Sequence, residues 1–325
     1  MQKTLSVISL PSIRHNAEKI KSLIHGCKFF AVVKADGYGH GAEEVSRYIE
    51  DIADGFCVAI VEEGIALRVA GISKQILVLT PPQDGYDVAR AKAYNLTLTV
   101  NSVHTARLIK GAPCHIKVNT GMNRNGCNID GLPQILSCLP KDSVEGVYSH
   151  LFAPENDLAS ESQFAHFSKA VKTVKQVNPC ACAHISASGG VLRGGKYILD
   201  GGVRCGILLY GYAPSGFSNE GFERALKVYA RRTQETEFIG GGVGYNFADK
   251  NYKKLSVYRC GYADGFFRTV PLGEKTLCMD AFVSDGGEAL KCVMDDADEY
   301  AKRCGTISYE VLTSVTKRSE RIYER

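Results

Sequence analysis

Between residues 28 and 206 the sequence alternates, eight times over, a short apolar run with a longer amphipathic one. The apolar runs are FFAVVK, FCVAIV, QILVLT, LTLTV, HIKVN, VEGVYSH, AHISAS and the segment leading to VRCGI. Between them lie runs such as GAEEVSRYIEDI, ARAKAYN and FAHFSKAVKTVKQV. Short apolar, β-branched runs read as strands buried on both faces, and the longer runs read as the crossover helices that parallel strands require. Eight such units in a row predict a (β/α)8 barrel, with an open doubly wound sheet as the other arrangement that fits.

After residue 206 the pattern changes. GYAPSGFSNEGF, residues 211–222, is rich in Gly, Ser and Pro and reads as a linker. The segments LKVYARRTQ, KLSVYRCGY, KTLCMDAFV and ISYEVLTSV then alternate as strands do, with helix expected only near Asp295 to Cys304. A second, mostly β domain is expected there, within an overall α/β fold.

Composition narrows the function. With 45% hydrophobic and 23% charged residues, the chain can bury a large core. The net charge of +4 comes without a block of like charges, since KRSERIYER is broken by glutamates, so no nucleic-acid partner is expected. The start, MQKTLSVISLPS, has no signal-peptide pattern, and no apolar stretch is long enough to span a bilayer. A cytoplasmic protein without a membrane partner is the expectation. Its 12 cysteines are scattered, which suits reduced, packed thiols. Cys180, Cys182 and His184 alternate as on a strand, but no second ligand group has zinc-like spacing, and no metal is expected.

In a barrel, chemistry sits at the C-terminal ends of the strands. Lys34 closes the first of them, immediately before a glycine-rich turn, ADGYGHG. Lys117 and Arg124 follow the fifth strand, His150 ends the sixth, Ser188 and Gly189 follow the seventh, and Arg204 and Gly206 follow the eighth. Glycine and serine after the last two strands offer backbone N–H groups and a hydroxyl to a phosphate. A lysine facing such a cradle points to pyridoxal phosphate held as a Schiff base.

The motifs AVVKADGYGHG, KVNTGMNRNG, YSHLF, HISAS, GGVRCGILLYG, GVGYN, GYADGFFR, CMD and GTISYEVL occur in this order along nearly the whole chain. In these it resembles the alanine racemase family, pyridoxal phosphate enzymes of fold type III. The resemblance implies interconversion of L- and D-alanine, feeding D-alanine to cell-wall synthesis. It further implies that Lys34 holds the cofactor and serves as base on one face, while Tyr245 is the base on the other. Tyr38, Ser188, Gly206, Ile207 and Tyr309 would grip the phosphate. Arg204 would lie at the pyridine nitrogen with His184 behind it, His150 would stand near Tyr245, and Arg124 would reach the ring hydroxyl and the substrate carboxylate. Lys117 matches a lysine that is carbamylated in some relatives. Tyr245, Tyr262 and Met279 would reach the site from the partner chain of a homodimer. The family pattern also sends the first residues into the second domain, giving a barrel at residues 11–222 and a β domain at residues 223–325 plus 1–10.

Three residues depart from that pattern: Ala187 stands where asparagine is usual, Asn119 replaces an aspartate, and Ala281 replaces a common glutamine. Two other functions fit the same motifs. One is a racemase preferring serine or another small amino acid; the other is a pyridoxal phosphate carrier without turnover, which would need neither Tyr245 nor the second domain.

Overall fold

The chain's computed structural model describes residues 4–199 and 201–325, which divide into two compact units. One comprises residues 13–37 and 42–223; the other comprises residues 4–12, 38–41 and 224–325. Leu5–Ser9 forms β1, which belongs to the second unit.

The first unit is built on eight short parallel strands: Lys28–Val32 (β2), Gly55–Val58 (β3), Gln75–Val78 (β4), Leu98–Val100 (β5), Cys114–Lys117 (β6), Val144–Tyr148 (β7), Cys182–His184 (β8) and Gly202–Cys205 (β9). They pair in the order β4-β3-β2-β9 and β5-β6-β7-β8. A parallel bridge from Leu77 to Thr97 joins β4 to the start of β5, and another from Ala187 to Arg204 joins the end of β8 to β9. The ring therefore closes as a barrel, and every strand edge finds a partner. Each predicted apolar run supplies one strand.

Helices cover the outside because their apolar faces recur at helical spacing: Val45, Ser46 and Ile49 are the buried positions of Ala42–Ile49, and Phe167, Ala170 and Val174 lie among those of Asp157–Val177. Their starts are fixed by side-chain caps, as where Asp84 accepts from the Tyr86 and Asp87 amides and Asn156 accepts from that of Ala159. The Gly- and Ser-rich segment after β9 is tied back by Asn16, whose amide donates to Leu209 O and Glu223 O.

The barrel interior is polar at its centre. Phe30 of β2, His115 of β6 and His184 of β8 meet there, their ring centroids between 5.0 and 6.2 Å apart, with the Tyr148 ring stacked on His184 at 5.1 Å.

The second unit holds Leu226–Glu237 (β10), Gly242–Val243 (β11), Asn246–Phe247 (β12), Lys254–Tyr258 (β13), Phe282–Asp285 (β14), Leu290–Met294 (β15) and Glu320–Glu324 (β16). Its main sheet runs β14-β13-β10-β1-β16, with β15 also on β10. A bulge between Arg232 and Gln234 lets the first half of β10 pair with β1 and β15 and the second half with β13.

One expectation fails in this unit. ISYEVLTSV is not a strand: Ser308–Val315 is a helix burying Ser308, Val311, Leu312 and Val315. That spacing is helical, and burial of this face outweighs the strand preference of its β-branched residues. KTLCMDAFV is a strand only from Phe282 onward.

Candidate active site

Lys34 follows the end of β2 and is partly buried. The next four residues are all left-handed: Ala35, Asp36 and Gly37 have φ/ψ near those of an αL turn, and Tyr38 has φ 52°. For residues with a Cβ this costs about 1–2 kcal/mol each, so the surroundings must impose it. They do so through backbone groups. The Gly37 amide donates to Val33 O at 2.7 Å, and the Asp36 carboxylate accepts from the Ala42 amide at 2.9 Å. Glu63 spans two loops, with one oxygen 2.7 Å from the Ala35 amide and the other 2.6 Å from that of Ala59. Glu63 was not singled out from the sequence, although its place three residues after Ile60 is that of a helix-capping acid.

Four cations gather at this end of the barrel. Burial first, and then Arg124, lower the pKa of Lys34; Glu63 opposes them. Lys117 is buried, and its pKa falls to about 8 through burial and then the charges of Arg204, Arg124 and Lys34. Arg124 lies on the exposed loop after β6. Asn119 holds that loop, accepting through Oδ1 from the amides of Gly121 at 3.1 Å and Asn123 at 3.0 Å. An aspartate would accept the same two bonds, so the departure at this position preserves the turn.

Arg204, on β9, is buried, and both of its Nη nitrogens are engaged. Nη1 donates to His184 Nδ1 and to His184 O at 2.8 Å; Nη2 donates to Ser149 O and lies 3.4 Å from His150 Nδ1. Burial and Arg204 hold His150 neutral, with a pKa near 3. Ser149 is fixed in turn by Thr120 at 2.7 Å, and Gln163 bonds both Thr120 and His150 O. These contacts connect the loop of Arg124 to that of His150.

Ser188, Gly206 and Ile207 are buried together after β8 and β9, with Ser188 Oγ 3.5 Å from the Leu208 amide. Ala187, which precedes Ser188, offers no capping side chain.

The second unit carries the remaining residues. The Tyr38 and Tyr309 rings lie 5.9 Å apart, Tyr309 being on the helix Ser308–Val315. Tyr245 sits in the turn between β11 and β12 and is 86% exposed. The Tyr262 amide donates to Cys278 O, the Ala263 amide donates to Met279 O, and a Cβ on Gly244 would lie 3.4 Å from Cys278 Sγ. Tyr245, Tyr262 and Met279 therefore share one locality, and all three are exposed. Asp264 braces it by accepting from the Gly261 amide and from Arg259.

An eight-stranded barrel with a partly buried, pKa-lowered lysine just past its first strand, other cations around it and a buried arginine nearby has the makeup of a pyridoxal phosphate-dependent barrel enzyme. Residues 8–214 match the family model described as alanine racemase, N-terminal domain. Alanine racemases from Carboxydothermus hydrogenoformans and Streptococcus agalactiae are each 32% identical, over 99% and 98% of this chain and 100% and 98% of theirs. The solved alanine racemase of Clostridium difficile 630 superposes with a TM-score of 0.91 at 25% identity, covering 100% of this chain and 96% of that one. That of Bartonella henselae, described with covalently bound pyridoxal phosphate, shares the fold with a TM-score of 0.82 at 23% identity, covering 99% of each chain. The chain belongs to the alanine racemase family, isomerases whose cofactor is pyridoxal 5'-phosphate.

Proposed function

We propose that the chain interconverts L- and D-alanine with two bases, Lys34 and Tyr245. The observation that carries this reading is Lys34 itself, whose pKa is lowered by burial and by Arg124. A lysine that can shed its charge can bind an aldehyde and then accept a proton.

Pyridoxal 5'-phosphate, held by Lys34 until the substrate amine displaces it and frees Nζ, would supply an electron sink for the substrate's Cα–H bond. Lys34 Nζ takes the Cα proton from one face, and Tyr245 Oη delivers one to the opposite face. A single base cannot serve both sides of a planar centre. Arg204 would face the ring nitrogen and, because a guanidinium does not surrender its proton, would leave that nitrogen unprotonated and the ring a weaker electron sink. Ser188, Gly206 and Ile207 of the barrel would hold the phosphate, and Arg124 would orient the substrate carboxylate.

Tyr245, Tyr262 and Met279 act from the partner chain of a homodimer. Their shared exposure on the second unit supports this, because a base open to water would be covered on assembly. No helix among the described residues is long and apolar enough to cross a membrane. A cytoplasmic enzyme supplying D-alanine to cell-wall synthesis fits the family.

The test is incubation of the holoenzyme with L-alanine and with L-serine in deuterated water, followed by chiral analysis. The expected result is deuterated D-alanine, formed faster than D-serine. Faster D-serine reassigns the substrate, and unexchanged L-enantiomers reduce the protein to a cofactor carrier.

A further inference from the structure

Arg204 is the first link in a buried row of hydrogen bonds whose last member the reaction scheme leaves unused. A guanidinium only donates, so His184 Nδ1, facing Arg204 Nη1, must be the acceptor and carry no proton. A neutral imidazole then bears its proton on Nε2. That nitrogen lies 2.7 Å from His115 Nδ1, so His184 donates and His115 accepts. His115 in turn has its proton on Nε2, which is buried and has no hydrogen-bond partner among the described residues.

Both rings are held neutral. Burial, then Arg204, lower their pKa values, that of His115 to about 3. The fold also reserves space for His115. It pairs across the sheet with Gly146, where an added Cβ would lie 2.6 Å from its Nδ1, and the Phe30 ring stands perpendicular to it with centroids 6.2 Å apart. A buried imidazole with an orphaned N–H is costly in a barrel core, where an apolar residue would pack without that penalty.

We propose that His115 is a positioning residue: its Nδ1 locks the tautomer and ring orientation of His184, which locks the guanidinium of Arg204 at the mouth of the barrel. The functional arm of this inference rests on the reading that Arg204 serves the cofactor ring; the tautomer arm does not. His115 touches neither cofactor nor substrate in this scheme and acts through two intervening groups.

The experiment compares wild type, His115→Leu and His115→Asn as holoenzymes labelled with 15N-histidine. Asparagine places an acceptor oxygen near the position of Nδ1, and leucine does not. Two-bond 15N–1H correlation spectra read the tautomers, while the cofactor absorbance band and the dissociation constant for pyridoxal phosphate read the consequence. In wild type both His184 and His115 are expected to carry the proton on Nε2. His115→Leu is expected to shift or broaden the His184 signals, displace the absorbance band and weaken cofactor binding by roughly tenfold, and His115→Asn to restore all three. If leucine prevents folding, the wild-type tautomers and the asparagine variant still decide the matter. A wild-type His184 protonated on Nδ1, or a folded His115→Leu with unchanged spectra, overturns the proposal. So does an asparagine variant as defective as leucine. If the relay is found as expected but no alanine turns over, the functional reading fails and the relay stands.

Discussion

Lys117 has a pKa lowered to about 8, against an ordinary 10.5. Between those values the unfolded chain binds more protons than the folded one, so stability should rise with pH across that window. The gain is roughly 3 kcal/mol and is absent below about pH 8. Urea titrations of wild type and Lys117→Met across pH 8 to 10.5 check this, since the variant should lack that part of the rise. The same neutral amine can add carbon dioxide, releasing a proton and leaving a carbamate anion among Arg124, Arg204 and Lys34. A carbamate carbon signal after exposure to 13C-bicarbonate, lost in Lys117→Met, would establish the modification. Tyr245→Phe should lower interconversion by at least about a hundredfold. Deuterium should still wash into one enantiomer through Lys34, and equal wash-in of both would remove Tyr245 from the mechanism.

At the scale of elements, the eight barrel strands were legible because each is an apolar run too short for a helix and is followed by one that is not. The helix Ser308–Val315 was misread since Ile307, Val311 and Val315 weigh toward strand, although the burial spacing was present in the letters. The turn after Lys34 was legible as a turn and not as left-handed, because Ala35 and Asp36 carry no sign of positive φ. Glu63 and His115 escaped for a related reason: what they do depends on partners 28 and 69 residues away. Ala35→Gly should relieve strain in the turn and leave thermal stability equal or higher, whereas glycine at an ordinary helical position would cost about 1 kcal/mol. Glu63→Ala should cost about 1–3 kcal/mol by stranding the amides of Ala35 and Ala59, and should weaken cofactor retention as Lys34 loses its fixed direction. Calorimetry and cofactor dialysis measure the two effects.

For the whole molecule, the proposed sharing of active sites between two chains makes a quantitative prediction. Lys34→Ala and Tyr245→Phe homodimers should each be inactive as racemases. Mixed, dissociated and reassociated, they should recover about a quarter of the wild-type sites, since a heterodimer holds one site free of both lesions. No recovery after verified subunit exchange would place both bases in one chain.

The strand Leu5–Ser9 lies between β10 and β16, antiparallel to the first and parallel to the second, with Leu5 opposite Tyr229 and Glu320. A ribosome makes this strand well before either neighbour. The barrel lies between them in synthesis order and can assemble first, while a stretch of β-branched chain waits unpaired, open to chaperones or to another nascent copy. Maturation of the sheet is therefore bound to be late, and slow synthesis of residues 226–324 should raise the yield of aggregate more than slow synthesis within the barrel.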